Sequence, residues 1–185
     1  VDAPAGWRVG EGMAIAMIAT MAPRGHIAHT SVTLRPDGTL VARTGTVEFG
    51  NGTTVVLRQI VATDLDIPLD RIELRTADTD AVRHDTGAFA SAGITVAGKA
   101  LHAACLELRA RILSLAASLV PRDQSLLARS ALPGEADHSS REESLISGAV
   151  EAEGVRVGGR LVTWREIVDA AGDGERDGEG LRAEG

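Results

Sequence analysis

Two glycine-marked stretches hold the residues of this sequence best suited to chemistry. In the first, residues 45–54 (GTVEFGNGTT), glycines at 50 and 52 close an alternating run and precede a helical pattern. Such a strand-to-helix junction leaves unpaired backbone N–H groups at the positive end of the helix macrodipole. Glycine lets an anion approach that main chain closely, so phosphate binding is the chemistry the junction could do. A plain turn capped by Thr53 or Thr54 has the same spelling, and short glycine motifs alone favour it. The second stretch, residues 85–95 (DTGAFASAGIT), is built of small residues and again runs into a long helical pattern. It offers another open helix N-terminus, or simply a surface loop. If both bind one ligand, residues 50–53 and 90–93 must converge to about 10 Å, with both helix starts aimed at one cleft.

The other polar residues have plainer readings. Glu48 either lines the site or faces solvent. His26 and His29 are separated by the start of a strand and do not read as a metal pair. His84 and Asp85 border the second loop, where they could touch a ligand but read rather as a solvated pair. His102 and Cys105 share a helix face, where Cys105 reads as a small buried hydrophobe. No catalytic residue and no metal ligand is assigned on this chain.

Elements that could position the loops follow from the pattern. Residues 29–34 (HTSVTL) alternate as a half-buried strand does, residues 35–38 (RPDG) form a tight turn, and 40–48 return as a second strand. Thr53–Leu65 reads as a helix burying Val56, Ile60 and Val61, with Leu57 and Leu65 close by. Pro68 ends it, and Ile72–Thr76 follows as a strand. Residues 94–119 read as a long helix stopped by Pro121; Gly98 inside it costs about 1 kcal/mol relative to alanine unless close packing needs it. Residues 121–147 read as linker, and 149–162 as a second hairpin turning near Gly158-Gly159. Thr163 and Glu166 spell a capping box opening a short helix to Ala171. The apolar residues 12–20 read as a buried strand or short helix. The Gly, Asp, Glu and Arg of residues 172–185 read as a flexible tail. The order of elements predicts an α+β fold, a mixed sheet with hairpins and helices packed on it.

Composition closes off other functions. The net charge of −7 comes without a basic cluster, and there are only four aromatic residues, Trp7, Phe49, Phe89 and Trp164. Neither duplex binding nor base stacking suits such a chain, so no nucleic-acid partner is expected. The single cysteine excludes a disulfide framework and any iron–sulfur cluster ligated by this chain alone. No run is long enough to span a bilayer. A reducing cytoplasm suits the chain.

Taken in order, the motifs resemble the molybdopterin-binding subunit of the xanthine dehydrogenase/aldehyde oxidase (molybdenum hydroxylase) family. That family shows a Gly-Thr-x-Glu-x-Gly-Gln-Gly-like run, matched by Gly45-Thr46-Val47-Glu48-Phe49-Gly50-Asn51-Gly52. Its helix ending in Gly-Ile-Pro-x-Asp-Arg is read at Asp66-Ile67-Pro68-Leu69-Asp70-Arg71, and its Gly-Asp-Thr-Asp-like loop at Ala77-Asp78-Thr79-Asp80. The small-residue loop at Gly87-Ala88-Phe89-Ala90-Ser91 and Gly98 in the long helix complete the series. Asn51 stands where the family commonly has Gln, and Ala92 where many members have Arg.

The resemblance implies a molybdopterin cofactor gripped by Phe49, Gly50, Asn51 and Gly52 and by Ala90, Ser91 and Ala92. It implies oxidation of an aldehyde or N-heterocycle with water as the oxygen source, together with iron–sulfur and flavin subunits or domains. In this reading residues 1–171 are part of a molybdopterin-binding domain, and the rest of the subunit is a partner. The chain alone is then expected to hold no cofactor and to be inactive. The family's basic Glu lies in a Gly-x-Gly-Glu-like motif expected beyond residue 185; Gly172-Asp173-Gly174-Glu175 copies that pattern in the wrong place. The other reading is a non-catalytic α+β module binding a phosphorylated ligand at the two helix N-termini, and a third is a purely structural interaction domain.

Overall fold

The computed structural model describes residues 4–17, 21–22, 25–120 and 149–185. Its frame is the predicted hairpin, β1 (Thr30–Leu34) and β2 (Leu40–Thr44), paired antiparallel from Thr30↔Thr44 to Leu34↔Leu40. β2 stops at Thr44 instead of reaching residue 48. The reason lies in its neighbours: Thr30 and Thr76, its last partners on either side, both face Thr44, so no ladder continues. Helix α1 (Thr53–Leu65) is the crossover that returns the chain to β3 (Ile72–Thr76), parallel to β2.

Helix α2 (Gly93–Leu119) crosses the same sheet face, burying Ala97, Leu101, Ala104, Cys105, Leu108, Ile112 and Ala116. These meet Val32, Leu34, Leu40 and Ala42 of the sheet and Leu57 and Val61 of α1 in one core. The buried stripe of α1 is Thr53, Leu57, Val61 and Leu65, not the expected Val56 and Ile60, which lie on its flanks. Ile60 instead faces α2, where a Cβ on Gly98 would lie 3.1 Å from its Cδ1. Close helix packing therefore accounts for that glycine. Burial pushes the Cys105 thiol up to about 12, as an inert core residue.

Residues 172–185 are not a free tail. They end in β7 (Leu181–Glu184), which pairs antiparallel with β1 and sets the sheet order β3-β2-β1-β7. Leu181 and Ala183 alternate into the core, while Asp177 and Glu179 reach the opposite sheet face. There Arg43, nearly buried, binds Glu179 at 2.5 Å and Thr33 at 2.8 Å. Arg75 reaches Glu179 at 3.0 Å and Thr33 donates to Asp177 at 2.8 Å. The acidic residues that suggested solvation are the counter-ions of a sheet arginine.

A second sheet, β4 (Ala149–Glu151), β5 (Gly154–Val157) and β6 (Arg160–Thr163), is a three-stranded meander where a single hairpin was expected. Its second turn falls at Gly158-Gly159, both with positive φ (57° and 86°), as a tight hairpin turn demands. Helix α3 (Trp164–Ala170) opens on the predicted capping box: the Glu166 amide donates to Thr163 Oγ1, and Thr163 N–H to Glu166. Replacing Thr163 with alanine should lower stability by about 1 kcal/mol, read from the denaturant midpoint. Trp164 packs under the first hairpin, where a Cβ on Gly38 would lie 2.3 Å from its ring.

Residues 12–17 take neither strand nor helix form; Met13, Ile15 and Met17 are 91%, 85% and 95% exposed. An apolar run orders only against a covering surface, and no described residue provides one. The expectations for residues 18–20 and 121–147 fall, wholly or largely, outside the described residues. Among the described residues, no helix is long and apolar enough to cross a membrane.

Candidate functional site

The end of the sheet where β2 and β3 finish carries both glycine-marked loops. Loop 1 (residues 45–52) leaves β2 at Thr44, and loop 2 (residues 85–92) arrives beside it before α2. Their bases are joined. Thr46 Oγ1 donates to Asp85 Oδ2 at 2.8 Å, and a Cβ on Gly45 would lie only 2.4 Å from the Asp85 Cβ. Asp85 is thus a brace between the loops rather than a solvated residue, and its other oxygen accepts from the Gly87 amide at 2.7 Å.

The two helices leave this junction side by side. Ile60 faces Gly98, and Asp64 meets His102 at 2.8 Å, so contacts advance along α1 and α2 in the same direction. At about 1.5 Å per residue, Thr53 lies about 10 Å and Gly93 about 8 Å back along their axes from the Ile60–Gly98 contact. With helix axes about 8–10 Å apart, the two N-termini stand level at one end of the domain.

The site residues inferred from sequence are presented outward. Phe49 is 65% exposed, Gly50 and Asn51 are exposed, and Gly52 is part-exposed. Gly50 (φ 93°) and Gly52 (φ 77°) take left-handed conformations with open space where a side chain would sit. In loop 2, Ala90 and Ser91 also take left-handed conformations, φ 52° and 56°. Two consecutive non-glycine residues in that region are costly, and such strain gathers at functional sites. Ala90 and Ser91 are exposed, and Ala92, part-exposed, caps α2 without a side-chain hydrogen bond.

Glu48, part-exposed in loop 1, has a role that neither of its sequence readings included. Its carboxylate turns back into its own loop, with Oε1 accepting from the amides of Gly50 (2.7 Å) and Gly52 (3.1 Å). Oε2 accepts from the Thr54 amide at 3.0 Å and its hydroxyl at 3.2 Å. Asn51 Oδ1 takes the Thr53 amide and hydroxyl, at 3.3 and 2.7 Å. The cap of α1 is therefore Glu48 and Asn51, not Thr53 or Thr54. The Gly50 and Gly52 amides expected to face a phosphate are already engaged.

The Thr54 amide and the other donors hold Glu48 down to about 2, from a usual 4.5. A depressed carboxylate stabilises the fold above its unfolded pKa and loses that contribution as pH falls through the folded one. Its share should vanish between about pH 4.5 and 2. Denaturant titrations across that window should show a shallower acid loss in Glu48→Gln than in the parent chain.

Neither other feature competes for the site. Strand register puts Leu181 opposite Leu34, so the turn preceding β7, with Glu175, lies toward the far end of the sheet from the loops. A surface hollow of about 330 Å³ lined by Thr54, Val55, Arg58, Ile72, Leu74 and Thr76 runs along α1 beside β3, and no residue of either loop lines it. The pairing of Thr46 with Asp85 and the inward turn of Glu48 were not found from sequence. A 39-residue separation hides the Thr46–Asp85 pair, and a carboxylate ahead of a glycine-rich helix start fits no short capping pattern.

Known proteins resemble this chain in sequence and in fold. The model of the molybdopterin cofactor-binding domain matches residues 2–185. The probable hypoxanthine oxidase XdhD of Escherichia coli (strain K12) is 33% identical over 107 residues, 58% of this chain and 11% of that protein. The carbon monoxide dehydrogenase large chain of Hydrogenophaga pseudoflava is 32% identical over 89 residues, 48% of this chain and 11% of its own length. The chain thus matches about a tenth of these relatives' length. In fold it is similar to the reconstituted CO dehydrogenase of Oligotropha carboxidovorans. The TM-score is 0.58 at 24% identity, covering 86% of this chain and 18% of that one.

Proposed function

Because this chain belongs to the molybdopterin cofactor-binding domain family, we propose that it forms part of the catalytic subunit of a molybdenum hydroxylase and grips molybdopterin between its two loops. The observation that carries the reading is the junction at Thr46 and Asp85, which sets two helix starts and two backbone-rich loops on one end of the domain. The residues fit such a group. Bare Cα positions at Gly50 and Gly52 face open space, and the side chains of Ala90, Ser91 and Ala92 are short.

In this reading Phe49, Gly50, Asn51 and Gly52 bound one side of the cofactor, and Ala90, Ser91 and Ala92 the other. When bound, the cofactor supplies a two-electron oxidation of an aldehyde or N-heterocycle carbon, with water as the oxygen source. This chain's part is to bind and orient. None of its described carboxylates is assigned the proton transfer, since Glu48 is consumed by its own loop and Glu175 lies toward the other end. The remainder of the subunit is proposed to supply that base and to close the site, with iron–sulfur and flavin partners taking the electrons. The domain by itself is then inactive.

Molybdenum and pterin analysis of the full-length polypeptide tests the reading. Near-stoichiometric content is expected, and its absence from protein made in a molybdopterin-producing host would argue for a non-catalytic module. In the same assay Gly52→Val should reduce content with the fold retained. A β-branched residue at φ 77° costs about 1–2 kcal/mol and bends the loop, although space for its Cβ is open. Normal loading of that variant would favour a plain turn at Gly52.

A further inference from the structure

We propose that Glu48 is the positioning residue of loop 1: its carboxylate occupies the place an anion would take at the start of α1, so the loop meets its ligand through neutral groups on its outer rim. The inference rests on the cofactor reading above. An ionised carboxylate offers about four acceptor sites. Here they are used by the amides of Gly50, Gly52 and Thr54 and the Thr54 hydroxyl. These donors are the ones a phosphate would need at this helix start, and Glu48 also answers the positive end of the α1 dipole. A second anion there would have to expel the carboxylate or sit against its charge.

The alternation of the loop decides what remains. Between the engaged amides, that of Thr53 is taken by Asn51 Oδ1. The amides of Phe49 and Asn51 make no hydrogen bond to any described residue, and both residues are exposed. With Oδ1 occupied, Asn51 keeps its Nδ2 as a donor. Loop 1 therefore presents uncharged donors beside a buttressed turn, a surface for a neutral hydrogen-bonding part of the cofactor. Loop 2 differs, since among the described residues no side chain accepts from the amides of the first turn of α2, and its own carboxylate, Asp85, is turned to Thr46 and Gly87 at the base of the loop. Repulsion from Glu48 directs a negatively charged part of the ligand away from α1 and toward that side.

The test uses the full-length polypeptide, wild type and Glu48→Gln, with three readouts. Hydrogen exchange of peptides spanning residues 48–56 should be at least tenfold faster in the variant, with other segments unchanged. Molybdenum and pterin content should fall at least several-fold. Titration of cofactor-free protein with inorganic phosphate should leave exchange at Gly50, Gly52 and Thr54 unchanged in wild type and slow it in Glu48→Ala, where the carboxylate no longer fills the place. A merely structural glutamate would not produce that phosphate response. Full cofactor content in Glu48→Gln despite fast exchange would overturn the proposal and leave the cofactor reading standing. Phosphate protection of these amides in wild type would overturn it too. If wild type holds no molybdopterin, the cofactor reading fails and the proposal, which rests on it, is overturned with it.

Discussion

Replacing Gly45 with valine should strip molybdopterin from the full-length protein while leaving most of its secondary structure in place. The Cβ of any side chain at this position would stand 2.4 Å from the Asp85 Cβ, nearer than real carbon atoms approach. One of the loops must move, and the first casualty is the 2.8 Å bond from Thr46 to Asp85. Overpacking of this kind costs about 1–3 kcal/mol, and a hydrogen bond to a charged acceptor contributes about 1.5–3 kcal/mol. The two share a site and do not add fully. A loss of about 1.4 kcal/mol transmitted to the ligand is already tenfold in affinity. At least a tenfold drop in bound molybdenum and pterin is expected, with a smaller drop for Thr46→Val, which removes the bond without the clash. Normal cofactor content in Gly45→Val would mean that the loops need not be held together.

Arg43→Ala should destabilise the fold by roughly 2–3 kcal/mol and expose residues 172–180 to proteolysis. The Arg43 guanidinium binds Glu179 at 2.5 Å and Thr33 at 2.8 Å, with Asp177 at 3.6 Å. Its side chain is 8% exposed, that of Glu179 32%. The cost falls below that of a fully buried pair because Glu179 retains water and a second partner in Arg75. Truncation leaves Asp177 and Glu179 without their shared buried cation, with only the more exposed Arg35, Arg75 and Arg182 nearby, under the segment that leads into β7. The denaturant midpoint should fall, and the first protease cuts should appear between residues 172 and 180. Arg43→Met, which fills the same space without charge, should still release the segment. An unchanged digestion pattern in both variants would show that Leu181 and Ala183 alone hold β7 in the sheet.

The sequence was readable where neighbours in the chain decide the structure. The Arg35–Gly38 turn, the Thr163–Glu166 cap and the paired glycines at 158 and 159 each depend on a few adjacent residues. What failed depends on partners far along the chain. The end of β2 is set by Thr30 and Thr76, the buried stripe of α1 by where α2 lies, and β7 by Arg43, more than 130 residues away. Composition read the last segment as solvated because it counts charges without their counter-ions. At the site, the loops and their order were legible as motifs. The inward fold of Glu48 was not, since whether a carboxylate meets its own amides or a ligand depends on loop conformation.

The most direct measurement is a structure of the full-length protein purified with molybdopterin bound. Both loops should then face the cofactor, with a loop 1 donor from Phe49 or Asn51 and a backbone amide from the first turn of α2 each about 3 Å from a ligand oxygen or nitrogen. Glu48 should keep its hydrogen bonds to Gly50, Gly52 and Thr54. A cofactor bound elsewhere, with both loops facing solvent or packed on protein, would contradict the assignment of this domain end as its site.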